Sequence, residues 1–444
     1  MKYFGTDGVR GVANRDMSPE LAFKTGLAAG TVIKKRGLGS TALIGRDTRL
    51  AGHMLLSALS AGFCSAGINV YDAGVLTTPG IAYLAGITPD CVGAVVSASH
   101  NPAGDNGIKF FSREGMKLDD AVLEEIEALM DAPPIAEDRP FGKEVGWIRP
   151  FENTAQLYID FLTSSINTSL EGLRVVVDCA NGAASGFGPA ALRKAGAQVI
   201  SVHDLPDGWN INDGCGSTHP ESLREAVVKW KADAGIAFDG DADRLIAVDH
   251  AGAEVDGDQT ILLLALHMRS KGELQGPVVA TVMSNIGLKL ALAREGIEFM
   301  ETQVGDRYVL QGMIEKGSVI GGEQSGHIIL LRKSKAGDGI LSALHLLAAM
   351  KESGKSLQEL AGQMVKYPQV LVNVKVSKKE GWNTNPVIKE AISGVEKALE
   401  GRGRLLVRPS GTEPLIRVLT EGPDERELNE LAQGLAKVIS EQQG

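Results

Sequence analysis

Three times along the chain an apolar run breaks off at a polar turn, a helix-like stretch follows, and a second short apolar run comes next. The opening runs are residues 41–44 before Gly45-Arg46-Asp47, 173–177 before Asp178, and 278–283 before Ser284-Asn285. The second runs are residues 68–71, 198–202 and 297–300. Short apolar runs alternating with helical stretches predict parallel strands joined by crossover helices, and recurrence on this scale predicts repeated βαβ architecture. The expected fold class is therefore α/β, with three similar doubly wound domains and a remainder. Gly 54 against Pro 17 fits the many tight strand-to-helix turns that such a fold needs.

About 40 to 60 residues after its opening strand, each unit reaches another apolar run that ends in an unusually polar loop. The three loops are Ser97-Ala98-Ser99-His100-Asn101-Pro102, then Asp239-Gly240-Asp241-Ala242-Asp243-Arg244, then Gly322-Glu323-Gln324-Ser325-Gly326-His327. Open α/β sheets bind ligands beyond the carboxyl ends of their strands, so chemistry is expected there.

The second loop is the most pointed. In an extended segment, side chains two apart share a face, which would put Asp239, Asp241 and Asp243 on one side. At ~5 Å and an effective dielectric of ~20, each carboxylate pair repels by roughly 3 kcal/mol. A cation removes that cost, and all-oxygen ligation with positions left for water or phosphate suits Mg²⁺. An EF-hand loop also opens D-x-D-x-D, but here position six is Arg244 instead of Gly and position twelve is His250 instead of Glu. A solvated acidic turn is the bland alternative, and the apolar lead-in at 234–238 argues against it.

In the first loop, Asn101-Pro102 forces a turn after the apolar run 92–96. Ser99 lacks the G-x-S-x-G spacing of an acyl-enzyme serine. A phosphate on Ser99 would need a cation, which the aspartate loop could offer. Alone, the same residues read as a helix cap and a turn histidine. Farther on, Arg408, Ser410, Gly411, Thr412 and Arg417 combine two guanidinium groups, two hydroxyls and a glycine turn, the inventory for gripping a phosphate dianion. Glu323 and Ser325 suit sugar hydroxyls. His327 reads equally as a core histidine or as a catalytic one.

Bulk properties exclude several classes. A net charge of −10 gives no basic stripe, so nucleic acid is not an expected partner. Cys64, Cys91, Cys179 and Cys215 form no C-x-x-C, and the residues after Met1 lack the apolar core of a signal peptide, which together predict a reducing cytoplasm. No stretch is long and apolar enough for a membrane span. The pattern lapses over 131–146, near Gly252 and at Tyr367-Pro368, which predicts domains of 1–150, 151–252, 253–366 and 367–444. The last is expected to be a smaller α+β piece, with Leu428, Leu431, Leu435 and Val438 on one helix face.

Taken in order, Phe4-Gly5-Thr6-Asp7-Gly8-Val9-Arg10-Gly11, the serine loop, the aspartate loop, the Gly322 to His327 loop and Arg408-Pro409-Ser410-Gly411-Thr412 resemble the ordered motifs of the α-D-phosphohexomutases. Gly305-Asp306-Arg307-Tyr308-Val309 and Gln324 resemble the bacterial amino-sugar branch of that family. Ala51 and Ala336 depart from common Ser and Thr positions without touching metal or nucleophile.

The resemblance implies four domains around a central cleft, a phosphoserine at Ser99, and one Mg²⁺ held by Asp239, Asp241, Asp243 and a Ser99 phosphate oxygen. It implies that Arg10, His100, Lys109, Arg244 and His327 surround the transferring group, with Lys109 or His327 as general acid/base. Gly305, Asp306, Arg307, Glu323 and Ser325 would contact the sugar, and the 408–412 loop with Arg417 its non-reacting phosphate. The implied reaction interconverts glucosamine 6-phosphate and glucosamine 1-phosphate through glucosamine 1,6-bisphosphate, feeding amino-sugar nucleotide and cell-wall precursor synthesis. Glucose or mannose phosphates as substrates, a Mg²⁺-dependent sugar phosphatase and a non-catalytic sugar-phosphate sensor are the competing readings. A homodimer is the base-rate expectation.

Overall fold

The computed structural model describes residues 2–5, 8–132, 139–410 and 414–444. They pack into two compact units, one of Met1–Val282 with Glu298–Gln363, the other of Met283–Ile297 with Met364–Gly444.

The larger unit carries three sheets. In the first, β1 (Phe4–Gly5), β2 (Gly8–Val12), β3 (Thr41–Arg46), β4 (Asn69–Val75), β5 (Cys91–Val96), β6 (Asp105–Phe111) and β7 (Ile148–Pro150) run in the order β1-β2-β6-β5-β3-β4-β7. The second is β12-β11-β10-β8-β9, from β8 (Arg174–Asp178), β9 (Gln198–Val202), β10 (Ala234–Phe238), β11 (Leu245–Asp249) and β12 (Glu254–Val255). The third is β14-β13-β15-β16, from β13 (Val278–Thr281), β14 (Phe299–Thr302), β15 (Ile320–Gly322) and β16 (Ile328–Leu330).

All three share one plan. Each holds three successive parallel strands, preceded in the first sheet by the hairpin β1–β2, and the chain then folds back on the last of the three as an antiparallel partner: β5 with β6, β10 with β11, β15 with β16. Each polar loop picked out in the sequence is the turn of that hairpin. The parallel strands are read easily because both faces are covered: every residue of β5 and of β10 is buried, as expected of near-continuous apolar runs. The antiparallel returns were not foreseen, and they make the sheets mixed.

The third unit differs from expectation at its edges. β13 stops at Thr281 because Asn285 caps the helix Ile286–Arg294, accepting from the Gly287 N–H, and so takes residues 282–285 out of the sheet. β14 begins at Phe299, after Gly296 turns the chain at φ 66 and the Ile297 N–H closes the helix on the Leu292 carbonyl.

The smaller unit has one antiparallel sheet, β17-β19-β18, from β17 (Gln369–Lys375), β18 (Arg404–Pro409) and β19 (Leu415–Glu421). Helices Pro386–Leu399 and Glu425–Gln443 bury Ile388, Leu399, Leu428, Leu435 and Ile439 against Ile416 and Val418, with Leu431 and Val438 half-buried beside them. Buried Glu421 ties the helix Ile286–Arg294 to this sheet by accepting from the Ile286 N–H at 2.7 Å and from Arg404 Nε at 2.6 Å.

In the larger unit the helix Thr154–Ser164 is joined to the start of the helix Gly339–Ser353 by one buried bond. The Tyr158 hydroxyl donates to Asp338 Oδ2 at 2.7 Å, while Asp338 Oδ1 caps the second helix through the Ile340 and Leu341 N–H groups. Removing the hydroxyl in Tyr158→Phe deletes a hydrogen bond to a carboxylate, and should cost about 1.5–3 kcal/mol. The measurement is a lower urea midpoint with unchanged far-UV circular dichroism.

Candidate active site

Ser99 sits at φ +53, a left-handed conformation that costs an L-residue roughly 1–2 kcal/mol. The conformation aims its fully buried hydroxyl at the second hairpin turn, where Oγ donates to Asp239 Oδ2 at 2.6 Å. His100 Nδ1 lies 3.4 Å from the same oxygen. Burial first, then the charges of Arg244 and Arg10, push the His100 pKa down to about 4, so its ring is neutral at physiological pH.

The three aspartates do converge, though not as alternate residues of a strand. β10 ends at Phe238, and residues 239–244 form a turn in which Ala242 adopts φ +59 and its N–H returns to the Asp239 carbonyl at 3.0 Å. Curvature, instead of strand alternation, brings one oxygen of each carboxylate within 4.8 Å of the others. All three side chains are buried.

Cations crowd one side of the cluster. Lys109 Nζ, on β6, lies 3.3 Å from Asp241 Oδ2 and 3.8 Å from Asp243 Oδ2; His327 Nδ1 is 3.6 Å from Asp243 Oδ2, and Arg244 Nε is 3.8 Å from Asp243 Oδ1. Thr78 Oγ1 donates to Asp241 Oδ2 at 2.6 Å. Burial opposes charge on Asp243, yet Lys109, His327 and Arg244 together hold it far below the usual carboxylate range. Asp239 goes the other way: burial, then the charges of Asp243 and Asp241, drive its pKa well up against the pull of Arg244. Burial also disfavours the charged ring of His327, but the Asp243 hydrogen bond and the charges of Asp243, Asp306 and Glu323 outweigh it and raise its pKa to about 9.

Donor chemistry and burial fit a hard divalent cation. Asp241 Oδ1 and Asp243 Oδ1 are buried without a hydrogen-bond partner, and burial with two neighbouring carboxylates disfavours charge on Asp239. A second group, Asp178, His203 and Cys215, also brings ligand atoms within 4.8 Å. It is already committed: Asp178 accepts from the Ala180 and Gly216 N–H groups at 2.8 and 2.9 Å and lies 3.1 Å from His203 Nδ1.

The third hairpin turn closes on itself through Glu323 N–H to the His327 carbonyl at 3.0 Å, and the Leu245 N–H reaches the Gly326 carbonyl at 3.0 Å. Glu323 Oε1 accepts from the Gly305 N–H at 3.2 Å, and Ser325 is exposed. The His327 ring lies so close to Gly337 that a Cβ there would stand 2.3 Å from Nε2, so residue 337 has to lack a side chain. A cavity of about 420 Å³ brings Lys109, Asp243 and His327 together with Lys117, Asp306 and Arg307. Neither Asp306 nor Arg307 stands alone: Lys117 Nζ is 2.7 Å from Asp306, and Arg307 grips Asp120 with two bonds of 2.7 and 2.6 Å. Sequence reading missed Thr78, Lys117 and Asp120, which sit on no motif. Arg10 Nη1 reaches Asn101 Oδ1 at 3.5 Å, at the edge of the serine loop.

In the smaller unit, Arg408 on β18 and Arg417 on β19 are paired directly across the ladder. Like charges so placed repel, and burial together with the Arg417 charge lowers the Arg408 pKa. The Ser410 carbonyl accepts from Lys379 Nζ at 3.0 Å. Gly411 and Thr412 lie outside the described residues.

The sequence matches the phosphoglucomutase/phosphomannomutase family in four successive parts: alpha/beta/alpha domain I over residues 1–134, domain II over 156–252, domain III over 256–367, and the C-terminal domain over 371–438. The chain belongs to this family. It is similar to the phosphoglucosamine mutases of Desulforamulus reducens and Carboxydothermus hydrogenoformans, each 53% identical over 439 residues and covering 99% of both chains. Among solved structures it resembles a family member from Burkholderia thailandensis (TM-score 0.82, 23% identity, 99% of this chain and 97% of that one). It also resembles Aspergillus fumigatus N-acetylphosphoglucosamine mutase in complex with GlcNAc-6P and magnesium (TM-score 0.72, 19% identity, 100% and 96%). No helix among the described residues is long and apolar enough to cross a membrane.

Because burial and its two carboxylate neighbours raise the Asp239 pKa, cation affinity should rise with pH and binding should release protons. Titration of the metal-free protein with a divalent cation in weakly buffered solution reads the release directly. Asp239→Asn should abolish it.

Proposed function

We propose that the chain interconverts glucosamine 6-phosphate and glucosamine 1-phosphate, with Ser99 as the phosphoryl carrier. The observation that carries the reading is the Ser99 hydroxyl held 2.6 Å from Asp239, inside a buried cluster of three carboxylates. Choice of the amino sugar is supported by the likeness to phosphoglucosamine mutases over 99% of the chain.

Asp239, Asp241 and Asp243, with an oxygen of the Ser99 phosphate, would hold one Mg²⁺. That ion supplies positive charge to the oxygens of the transferring group. Phospho-Ser99 passes its phosphoryl group to the 1-hydroxyl of glucosamine 6-phosphate: the bond from phosphorus to Oγ breaks, a bond to O1 forms, and the O1 proton leaves to a base. The 1,6-bisphosphate turns over, its 6-phosphoryl group returns to Ser99 Oγ, and O6 regains a proton. Lys109 or His327, each beside Asp243, would take the O1 proton in its neutral form and return one to O6, while Arg10 and Arg244 would offset charge on the phosphoryl oxygens. His100, neutral beside Oγ, accepts or donates a hydrogen bond without adding charge.

Glu323 and Ser325, with Gly305, Asp306 and Arg307, would orient the sugar. Arg408, Ser410, Gly411, Thr412 and Arg417 would grip the phosphate that is not reacting, which relieves the repulsion between the two facing arginines. On this reading residues 1–150 carry the phosphoserine, 151–252 the metal ligands, 253–366 the sugar contacts and 367–444 the phosphate grip.

Ser99→Ala should lose turnover by several orders of magnitude while keeping its fold, and intact mass of the wild-type chain should include a species with about one added phosphate. Coupled assays on glucosamine, glucose and mannose 6-phosphates should rank glucosamine first; stoichiometric release of inorganic phosphate would mark a phosphatase instead. A separate expectation follows from the raised His327 pKa. In the metal-free chain its ring should titrate near pH 9 when followed by NMR, above an ordinary imidazole, and that titration should be absent from His327→Gln.

A further inference from the structure

One buried side chain organises the whole serine loop. Arg49, with no exposed surface, spends all five N–H donors of its guanidinium: Nε on Asp47 Oδ2, Nη1 on the Pro102 and Asp105 carbonyls, and Nη2 on the Ser99 and Asn101 carbonyls. Asn212 Nδ2, from a distant part of the chain, donates to the same Ser99 and Asn101 carbonyls at 2.9 and 3.1 Å. Gly240 closes the enclosure, since a Cβ there would stand 2.6 Å from the Ser99 carbonyl oxygen. Ser97 completes the frame: its Oγ accepts from the Ser99 N–H at 2.9 Å and donates to Asp47 Oδ2 at 2.7 Å.

We propose that Arg49, seated by Asp47, and Asn212 are positioning residues that clamp the Ser99 carbonyl and so keep its hydroxyl over Asp239 against the strain of a left-handed backbone. A serine at φ +53 relaxes to a right-handed or extended conformation unless its surroundings over-determine it. Relaxation swings the carbonyl and side chain together, taking Oγ away from the carboxylate 2.6 Å distant. A guanidinium and an amide donor from different parts of the chain fix that carbonyl, and the planar guanidinium fork reaches four carbonyls at once where an ammonium could not. The clamp matters most in the transfer step, where a misplacement of about 1 Å costs on the order of 10²-fold. Substrate recognition lies elsewhere, so binding is spared.

The inference rests on Ser99 being the phosphoryl carrier. Its test counts competent sites, which separates positioning from simple loss of fold. Arg49→Lys keeps a positive charge beside Asp47 but forfeits most of the carbonyl bonds; Asn212→Ala removes two bonds made by a less deeply buried side chain and is the milder change. For each variant, the fraction of chains that take a phosphate from a hexose 1,6-bisphosphate is measured by intact mass, and kcat is expressed per phosphorylated chain. Expected are kcat per phosphorylated site about tenfold lower for Asn212→Ala and about 100-fold lower for Arg49→Lys, with KM within threefold of wild type. A variant that is merely less folded lowers the phosphorylated fraction and leaves turnover per site unchanged. Wild-type turnover per site in Asn212→Ala, with Ser99→Ala inactive, overturns the clamp and leaves the carrier assignment standing. Activity in Ser99→Ala overturns the carrier, and the clamp with it.

Discussion

Three carboxylates enclosed within one ligand sphere, with a serine hydroxyl donating to one of them, set the terms for everything around them. In a medium of low polarity such a cluster cannot keep three negative charges unaided. The fold answers asymmetrically. Lys109, Arg244 and His327 gather around Asp243 and keep it ionised, while Asp239, on the serine side, is driven toward protonation. A divalent ion held in the cluster would relieve the pressure on Asp239 and would meet two carboxylate oxygens that accept no hydrogen bond.

Burial of that kind requires backbone from several directions. The serine, aspartate and Gly322 to His327 turns each leave the end of a buried parallel strand and return as its antiparallel neighbour, so their ends are pinned by ladder bonds and only the tips are irregular. Bonds from neighbouring elements then hold the aspartate tip, and one bond reaches the third turn. The Thr78 N–H reaches the Asp241 carbonyl, the Gly339 N–H reaches the Ala242 carbonyl, and the Leu245 N–H reaches the Gly326 carbonyl. Side chains on such supports hold their geometry better than side chains on free loops.

Much of this was legible in the residues because the signals were local. Continuous apolar runs mark β5 and β10, and the end of each run marks the end of the strand. Polar residues just past such runs marked the chemistry. The return strands β6 and β11 were not legible, since an apolar run does not disclose the direction in which it pairs. Nor was the route by which Asp239, Asp241 and Asp243 meet, because Ala242 at φ +59 carries no sequence signal of a left-handed residue. Lys117 and Asp120 escaped for another reason: each is an ordinary surface-type charge until Asp306 and Arg307 arrive from nearly 190 residues away. Arg49 could have been suspected from its place just past β3, at the same edge as the three turns.

Placing each reactive turn between two neighbouring strands of a sheet also separates two kinds of evolutionary freedom. The parallel scaffold answers only to packing, so it tolerates exchange of one aliphatic residue for another, whereas the hairpin tip answers only to chemistry and is free to be rewritten within a fixed span. A scaffold divided in this way lends itself to tandem copying: each duplicate keeps its plan of strands while its tip is open to reassignment.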